Sequence, residues 1–135
     1  MLNIDKFKVD EKKELDGAPL VWNGFTFFVK RMNSAFQSEL RNMIVELGNA
    51  NGEVDQDKDD FKKRMCDNVA DNLLAGWSGL KLLDDDGNET DDFKFSKENA
   101  RELLNYHQDL ADEIFIFSEN RNNYLVARRE AKAKN

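Results

Sequence analysis

The sequence has little cysteine, histidine or proline, with one residue of each among 135. The single cysteine, Cys66, excludes an internal disulfide and any zinc site built from several cysteines. No apolar run approaches the roughly 20 residues that a membrane-spanning helix needs. Residues 1–17 contain no apolar segment of the signal-peptide type. We therefore expect a protein of a reducing cytoplasm that has no membrane partner.

Recognised catalytic motifs are missing as well. The chain has no glycine-rich phosphate loop, no GxSxG and no HExxH. A cysteine–histidine pair would have to use Cys66 and His107, because each is the sole residue of its kind. Cys66 adjoins an apolar helical stripe and is expected to pack as a small apolar group. We predict that the protein is not an enzyme and binds no cofactor.

The acidic stretches do not fit a calcium-binding loop. With Gly87 at the sixth position of such a loop, Leu82 and Phe93 stand at the first and twelfth positions, where acidic ligands belong. The same test on residues 55–59 places Asp60 where glycine is needed. We predict no metal site.

The negative charge is concentrated in one part of the chain. The net charge is −7, and the segment from Glu53 to Asp92 holds 13 acidic and 5 basic residues. A protein that binds duplex nucleic acid needs the opposite sign on its contact face, so we predict no nucleic-acid partner. An acidic inhibitor, or a DNA mimic acting on a basic partner, is the alternative function that this charge leaves open.

Two β-rich runs flank Asn23-Gly24, a pair that supplies the positive φ angles of a type I′ turn. The pattern predicts strands at about residues 18–22 and 25–30, with one free edge unless another segment pairs with it. Residues 1–17 fit either a short helix or a strand, and Gly17 is expected to end it.

Helical apolar spacing dominates the rest of the chain. The first helix is capped by Asn33 or Ser34 and ends at Gly48. Later helices are predicted over residues 55–75 and 96–107, and the helical pattern then continues through 110–117.

The stretch around Trp77 joins two of these helices. We interpret it as a helix end, a tryptophan elbow, an acidic loop and a new helix. Gly76 suits a helix C-terminus because glycine adopts positive φ without strain. Ser96 suits the N-cap of the next helix.

The predicted fold is therefore α+β, a mostly α-helical single domain with an N-terminal β-hairpin and four to five helices. A chain of this length buries roughly two-thirds of its unfolded surface, enough for one core. Its predicted parts are an N-terminal segment (1–17), the hairpin (18–30) and a helical body (33–134) that includes an acidic loop (84–95).

Ten phenylalanines are many for one small core. The run from Ile114 to Phe117 is apolar on every side of a helix, so part of it must face another helix, another subunit or a partner. Burial of both sides within the monomer is the alternative.

The order of these parts resembles the tail assembly chaperones of long-tailed bacteriophages. The similarity spans roughly residues 14–125, and its most specific part is the tryptophan elbow followed by Phe-Ser-x-Glu-Asn-Ala. The segments that carry it are Phe25-Thr26-Phe27-Phe28-Val29-Lys30-Arg31, Leu74-Ala75-Gly76-Trp77-Ser78-Gly79-Leu80, the block from Phe95 to Leu104, and the end from Ile114 to Tyr124. The acidic insert at residues 84–92 has no counterpart in the resemblance.

The resemblance implies a non-enzymatic protein of the host cytoplasm that is absent from the mature virion. It implies that the protein binds and solubilises the tape measure protein, helps to recruit tail tube subunits, and forms homo-oligomers. This chain would be the short form of a family that often has a longer frameshifted form. Hypothetical partner-binding residues, selected for apolar size on helix faces, are Phe36, Met43, Phe115 and Phe117. A core role is the alternative for each of them.

Overall fold

A computed structural model describes residues 8–49, 51–83 and 85–126. These residues form five α-helices, five short strands and one 3-10 helix. In chain order the elements are α1 (Glu11–Asp16), β1 (Ala18–Trp22), β2 (Phe25–Val29), α2 (Ser34–Leu47), α3 (Asp59–Asn72), β3 (Leu74–Ser78), β4 (Lys81–Leu83), β5 (Glu89–Asp92), α4 (Lys97–Tyr106), α5 (Gln108–Glu119) and the 3-10 helix (Arg121–Tyr124).

The hairpin forms at the predicted place. Asn23 and Gly24 have φ angles of 50° and 84°, as a type I′ turn requires. β1 and β2 pair antiparallel from Trp22 opposite Phe25 to Ala18 opposite Val29. The prediction of two strands around this turn is confirmed.

The predicted fold as a whole is wrong. β3 pairs antiparallel with β2, so the hairpin is only part of a three-stranded sheet of order β1-β2-β3. The structure is a small α+β fold of five helices and this sheet, rather than a mostly helical body with an N-terminal hairpin. The physical reason is the free edge of β2, whose backbone groups are satisfied by β3.

The tryptophan elbow is correspondingly a strand. α3 ends at Asn72, and Gly76 lies within β3 without the positive φ that a helix C-cap would need. Trp77 stands opposite Phe27 in the ladder, and its indole Nε1 donates to the carbonyl of Phe93 (2.7 Å). The expected acidic loop also contains structure, because β4 and β5 pair antiparallel across it.

The helix caps follow the sequence signals. Asn33 accepts from the amide of Phe36 (3.0 Å) at the start of α2, and Gly48 ends that helix. Ser96 accepts from the amide of Asn99 (3.0 Å) at the start of α4. These local hydrogen bonds explain why the α2 and α4 boundaries lie within a residue of the prediction.

The N-terminal segment contains the short helix α1. Gly17 ends it with φ +95°, in a conformation that L side chains rarely adopt. Val9, which lies just before the N-cap of α1, pairs with Leu125 in an isolated antiparallel bridge. This bridge holds α1 against the 3-10 helix. Residues 1–7 and the basic end at 127–135 lie outside the described residues.

The sheet and the helices α2 to α5 share one hydrophobic core. Its largest side chains with almost no exposed surface are Phe27, Phe36, Met43, Leu73, Leu104, Leu110, Ile114 and Tyr124. Burial of each such side chain is worth about 1.5–3 kcal/mol before the entropy cost. This core fixes the relative positions of α2, α3 and α5, which build the site described next.

Candidate functional site

A groove crosses α3, with α2 at one end and α5 at the other. Its α2 end is mainly apolar, and its α5 end mixes apolar and polar side chains. It consists of two adjoining depressions of about 410 and 440 Å³. Both depressions are lined by Gln56, Phe61, Met65 and Phe115, so together they form one surface, which we call the helical groove. The α2 side adds Leu40, Ile44, Gly52 and Val54, and the α5 side adds Asp57, Lys62, Cys66, Val69, Gln108, Ala111 and Asp112.

The floor of the helical groove is made of large, adaptable side chains. Phe61 is 8% exposed, and Met65 and Phe115 are half-buried against the core. Methionine has three flexible side-chain torsions and a polarizable sulfur, so it adapts to differently shaped partners. These three side chains give the floor an apolar contact surface.

Polar contacts away from the floor of the groove hold α2 against α3. Arg64 of α3 donates to Glu39 Oε1 (2.7 Å) and Glu46 Oε2 (2.5 Å) of α2. The buried Asn68 donates its side-chain amide to the carbonyl of Phe36 (3.0 Å) and accepts from Asn72 Nδ2 (2.7 Å). Because these contacts join α2 to α3, we expect the α2 end of the groove to be preformed.

Cys66 of α3 lines the groove but lacks the setting of a nucleophile. It is 4% exposed, and burial raises the pKa of its thiol, with further upward contributions from the charges of Asp112 and Asp67. The thiol is therefore protonated at neutral pH, whereas a reactive cysteine needs its thiolate form. His107 connects α4 to α5, and its ring packs edge-on against Trp22 at 5.3 Å.

The structure separates the four hypothetical partner-binding residues. Phe115 lines the helical groove. Phe36 is 1% exposed and lies beneath Phe115, with ring centroids 5.6 Å apart, and Met43 has no exposed surface. Phe117 lies on the other flank of α5, where its ring packs against Tyr124 at 6.0 Å. Of the four residues, Phe115 alone combines apolar size with a place on the groove.

The apolar run on α5 is therefore divided among several surroundings. Ile114 is fully buried, Phe115 faces the groove, and Ile116 is 66% exposed. Ile116 and Phe117 border a shallower depression of about 360 Å³ that also includes Leu20 of β1. The exposure of Ile116 excludes burial of every side of the run within the monomer, and contact of Ile116 with another subunit or a partner stays a prediction.

Sequence reasoning missed most of the groove. Leu40, Ile44, Phe61 and Met65 belong to the apolar stripes of α2 and α3, and such stripes normally face a core. The available signal was the width of these stripes: the α2 stripe holds both fully buried Met43 and the 36% exposed Ile44. A stripe that wide covers both a core face and a second apolar face.

The described residues contain neither a metal-like cluster nor a spanning helix. Within residues 8–49, 51–83 and 85–126, no group of three or more His, Cys, Asp or Glu side chains is placed to hold a metal ion. In the same ranges, no helix combines the length and apolarity needed to cross a membrane.

Comparison with known proteins identifies one family. Neither the curated proteins nor the solved structures give a significant match to this chain. A family model described as YdaY prophage protein matches residues 31–135, a range that contains every residue of the helical groove. The chain therefore belongs to the YdaY prophage protein family and is a protein of phage origin.

Proposed function

We propose that this protein is a non-enzymatic tail assembly chaperone that holds an apolar helix of the tape measure protein in the helical groove. It would keep that protein soluble and help to recruit tail tube subunits around it. The observation that carries the proposal is the groove between α2, α3 and α5, with its apolar floor of Phe61, Met65 and Phe115. Peptide-binding grooves between helices commonly accept the apolar face of an amphipathic helix.

Two further observations support the proposal. Membership of a prophage family places the chain in a phage context. The net charge of −7 would keep a complex with a long apolar partner dispersed by mutual repulsion. The segments that resemble tail assembly chaperones lie in β2, β3, α4 and the end of α5, and of these the end of α5 contributes Phe115 to the groove.

The adjacent residues Ile44 and Val45 of α2 give a matched test of groove binding. Ile44 lines the groove at 36% exposure, whereas Val45 is 80% exposed and lies outside it. Each is changed to glutamate in the full chain and co-expressed with the tape measure protein of the same phage. A buried carboxylate without a partner is costly, so Ile44→Glu should reduce the recovered complex at least about tenfold.

The Val45→Glu variant is expected to behave as the wild type, with both variants keeping the wild-type circular dichroism. The proposal fails if the wild-type chain neither raises the solubility of the tape measure protein nor forms a complex with it. It also fails if Ile44→Glu captures that protein as well as Val45→Glu does.

Self-association and location belong to the same proposal. Size-exclusion chromatography with light scattering should give a mass above that of one chain. Mass spectrometry should find the protein in infected or induced cells and not in purified virions. A monomer at all concentrations, or a stoichiometric presence in virions, would contradict these two parts.

The acidic inhibitor alternative is not proposed. It needs the acids between Glu53 and Asp92 free along one rigid face. Instead, Asp67 pairs with Lys63 (2.9 Å), and Asp71 accepts from the guanidinium of Arg101 at 2.5 and 2.8 Å. These pairs lower the charge that α3 can present to a basic protein.

A further inference from the structure

The two ends of the helical groove differ in charge. The end between α2 and the loop before α3 is lined by the apolar side chains of Leu40, Ile44 and Val54. The end between α3 and α5 carries two carboxylates, Asp57 and Asp112, and one ammonium group, Lys62. A partner helix therefore meets an apolar surface at one end and a net negative rim at the other.

The two carboxylates at this end are available to a partner. Among the described residues, neither Asp57 nor Asp112 takes part in an ion pair, whereas Glu39, Glu46, Asp67 and Asp71 on the neighbouring helices all do. Asp112 is also close enough to the floor for its charge to raise the pKa of Cys66. Its field therefore extends into the groove rather than only into solvent.

We propose that the helical groove accepts an amphipathic partner helix in one orientation only, with large apolar side chains at the Leu40–Ile44 end and a lysine or arginine at the Asp57–Asp112 end. This inference rests on the proposed function, because it describes how the tape measure helix lies in the groove. Charge pairs at the rim of an interface fix the register and direction of a partner more than they add affinity.

The charge distribution favours such a partner over a second copy of this chain. Two copies would each bring a net charge of −7 to a rim that is already acidic. The chain's own basic stretch at residues 127–134 offers only alanines as apolar side chains, which are too small to fill the space above Phe61 and Met65. A helix with both large apolar and basic side chains matches the whole groove.

Three synthetic helical peptides of equal length and equal leucine stripe test the inference. One carries lysine beyond the N-terminal end of the stripe, one carries lysine beyond its C-terminal end, and one carries glutamate at both ends. Titration calorimetry on the full chain should show that one lysine peptide binds about threefold more tightly than the other. The glutamate peptide should bind most weakly. Salt near 0.5 M should remove the differences, because the Debye length falls to about 4 Å.

Two charge reversals on α5 test the role of Asp112, one at that residue and one as a matched control. Asp112→Lys should abolish the preference between the lysine peptides and make the glutamate peptide the tightest binder. Glu113→Lys makes the same charge change on the neighbouring residue, which borders the other flank of α5, and should leave the preference intact.

The possible outcomes separate this inference from the proposed function. Equal binding of all three peptides, or no binding of any, overturns the proposal that a helix with one basic end binds in a single orientation. In either case the proposed function is judged independently by co-expression with the tape measure protein. A preference that survives Asp112→Lys also overturns the inference.

Discussion

The ring of Phe115 lies against the ring of Phe36, with centroids 5.6 Å apart and planes tilted by 42°. Phe36 is almost fully buried in the first turn of α2, whereas Phe115 of α5 borders the groove. The contact links α2 and α5, which bound the two ends of the groove, through one aromatic pair. The buried ring thus supports the position of the ring that a partner would touch.

Replacement of each phenylalanine by alanine should therefore have a different effect. Phe36→Ala opens a cavity in the core and should lower the free energy of unfolding by about 3–5 kcal/mol, measured by urea denaturation. Phe115→Ala removes a half-buried ring and should cost about 1–2 kcal/mol while clearly weakening capture of the tape measure protein. A Phe36→Ala variant of normal stability that loses the partner would contradict this division.

The location of the groove depends on long-range packing, which explains why sequence reasoning found only part of it. Apolar size on a helix face selected Phe115, which borders the groove, but it also selected Phe36 and Met43, which the core buries. Nothing local to α2 distinguishes Met43 from Ile44, one residue later. Their different exposure arises from how α2 and α5 sit on α3.

The hairpin could be predicted because its signal is local. Asn23 and Gly24 adopt the positive φ angles that these residue types tolerate, glycine because it has no Cβ, whatever surrounds them. The strand β3 could not be predicted in the same way. Its sequence continues the apolar stripe of α3, and Gly76 imitates a helix C-cap. Pairing with β2, far away in the chain, decides its conformation.

Asn68 gives a second prediction, on a buried polar contact. Its side chain is 2% exposed and connects α3 to the carbonyl of Phe36 (3.0 Å). Asn68→Ala removes this donor and leaves a small cavity, so the free energy of unfolding should fall by about 1–3 kcal/mol. Asn42→Ala on the exposed face of α2 is the control and should change it by less than about 0.5 kcal/mol. Equal effects of the two substitutions would show that the buried amide adds no stability.

Two glycines with positive φ allow backbone strain to be separated from steric overlap. Gly17 has φ +95°, and a Cβ there would lie 2.7 Å from the carbonyl carbon of Phe28. Gly24 has φ +84°, and a Cβ there would meet nothing within 4 Å. Gly24→Ala should therefore cost about 1 kcal/mol from the backbone alone.

Gly17→Ala adds the collision with β2 and should cost at least about 2–3 kcal/mol. Thermal or urea unfolding of both variants measures the difference. If the two alanine variants unfold at the same denaturant concentration, the close approach of α1 to β2 is not maintained in solution.

Tyr124 links the 3-10 helix to strand β2 of the sheet. It has no exposed surface, and its hydroxyl donates to the carbonyl of Val29 (3.0 Å). Burial raises the pKa of its phenol well above 10, while the nearby Arg31 lowers it and Glu14 raises it to a smaller extent. The folded state thus disfavours the phenolate, which the unfolded chain forms freely.

The sign of the resulting pH dependence follows from this shift. Because the folded pKa lies above the unfolded pKa of about 10, the contribution of Tyr124 is fully present below pH 10 and is lost as the pH rises beyond it. The free energy of unfolding should fall by up to about 1.4 kcal/mol per pH unit there.

Tyr124→Phe cannot ionise, so it should lose about 1 kcal/mol at pH 7 yet show a shallower alkaline decline. The measurement is urea unfolding between pH 7 and 11 in a Tyr106→Phe background, where Tyr124 is the sole tyrosine. Parallel declines for the two proteins would mean that other groups cause the alkaline loss.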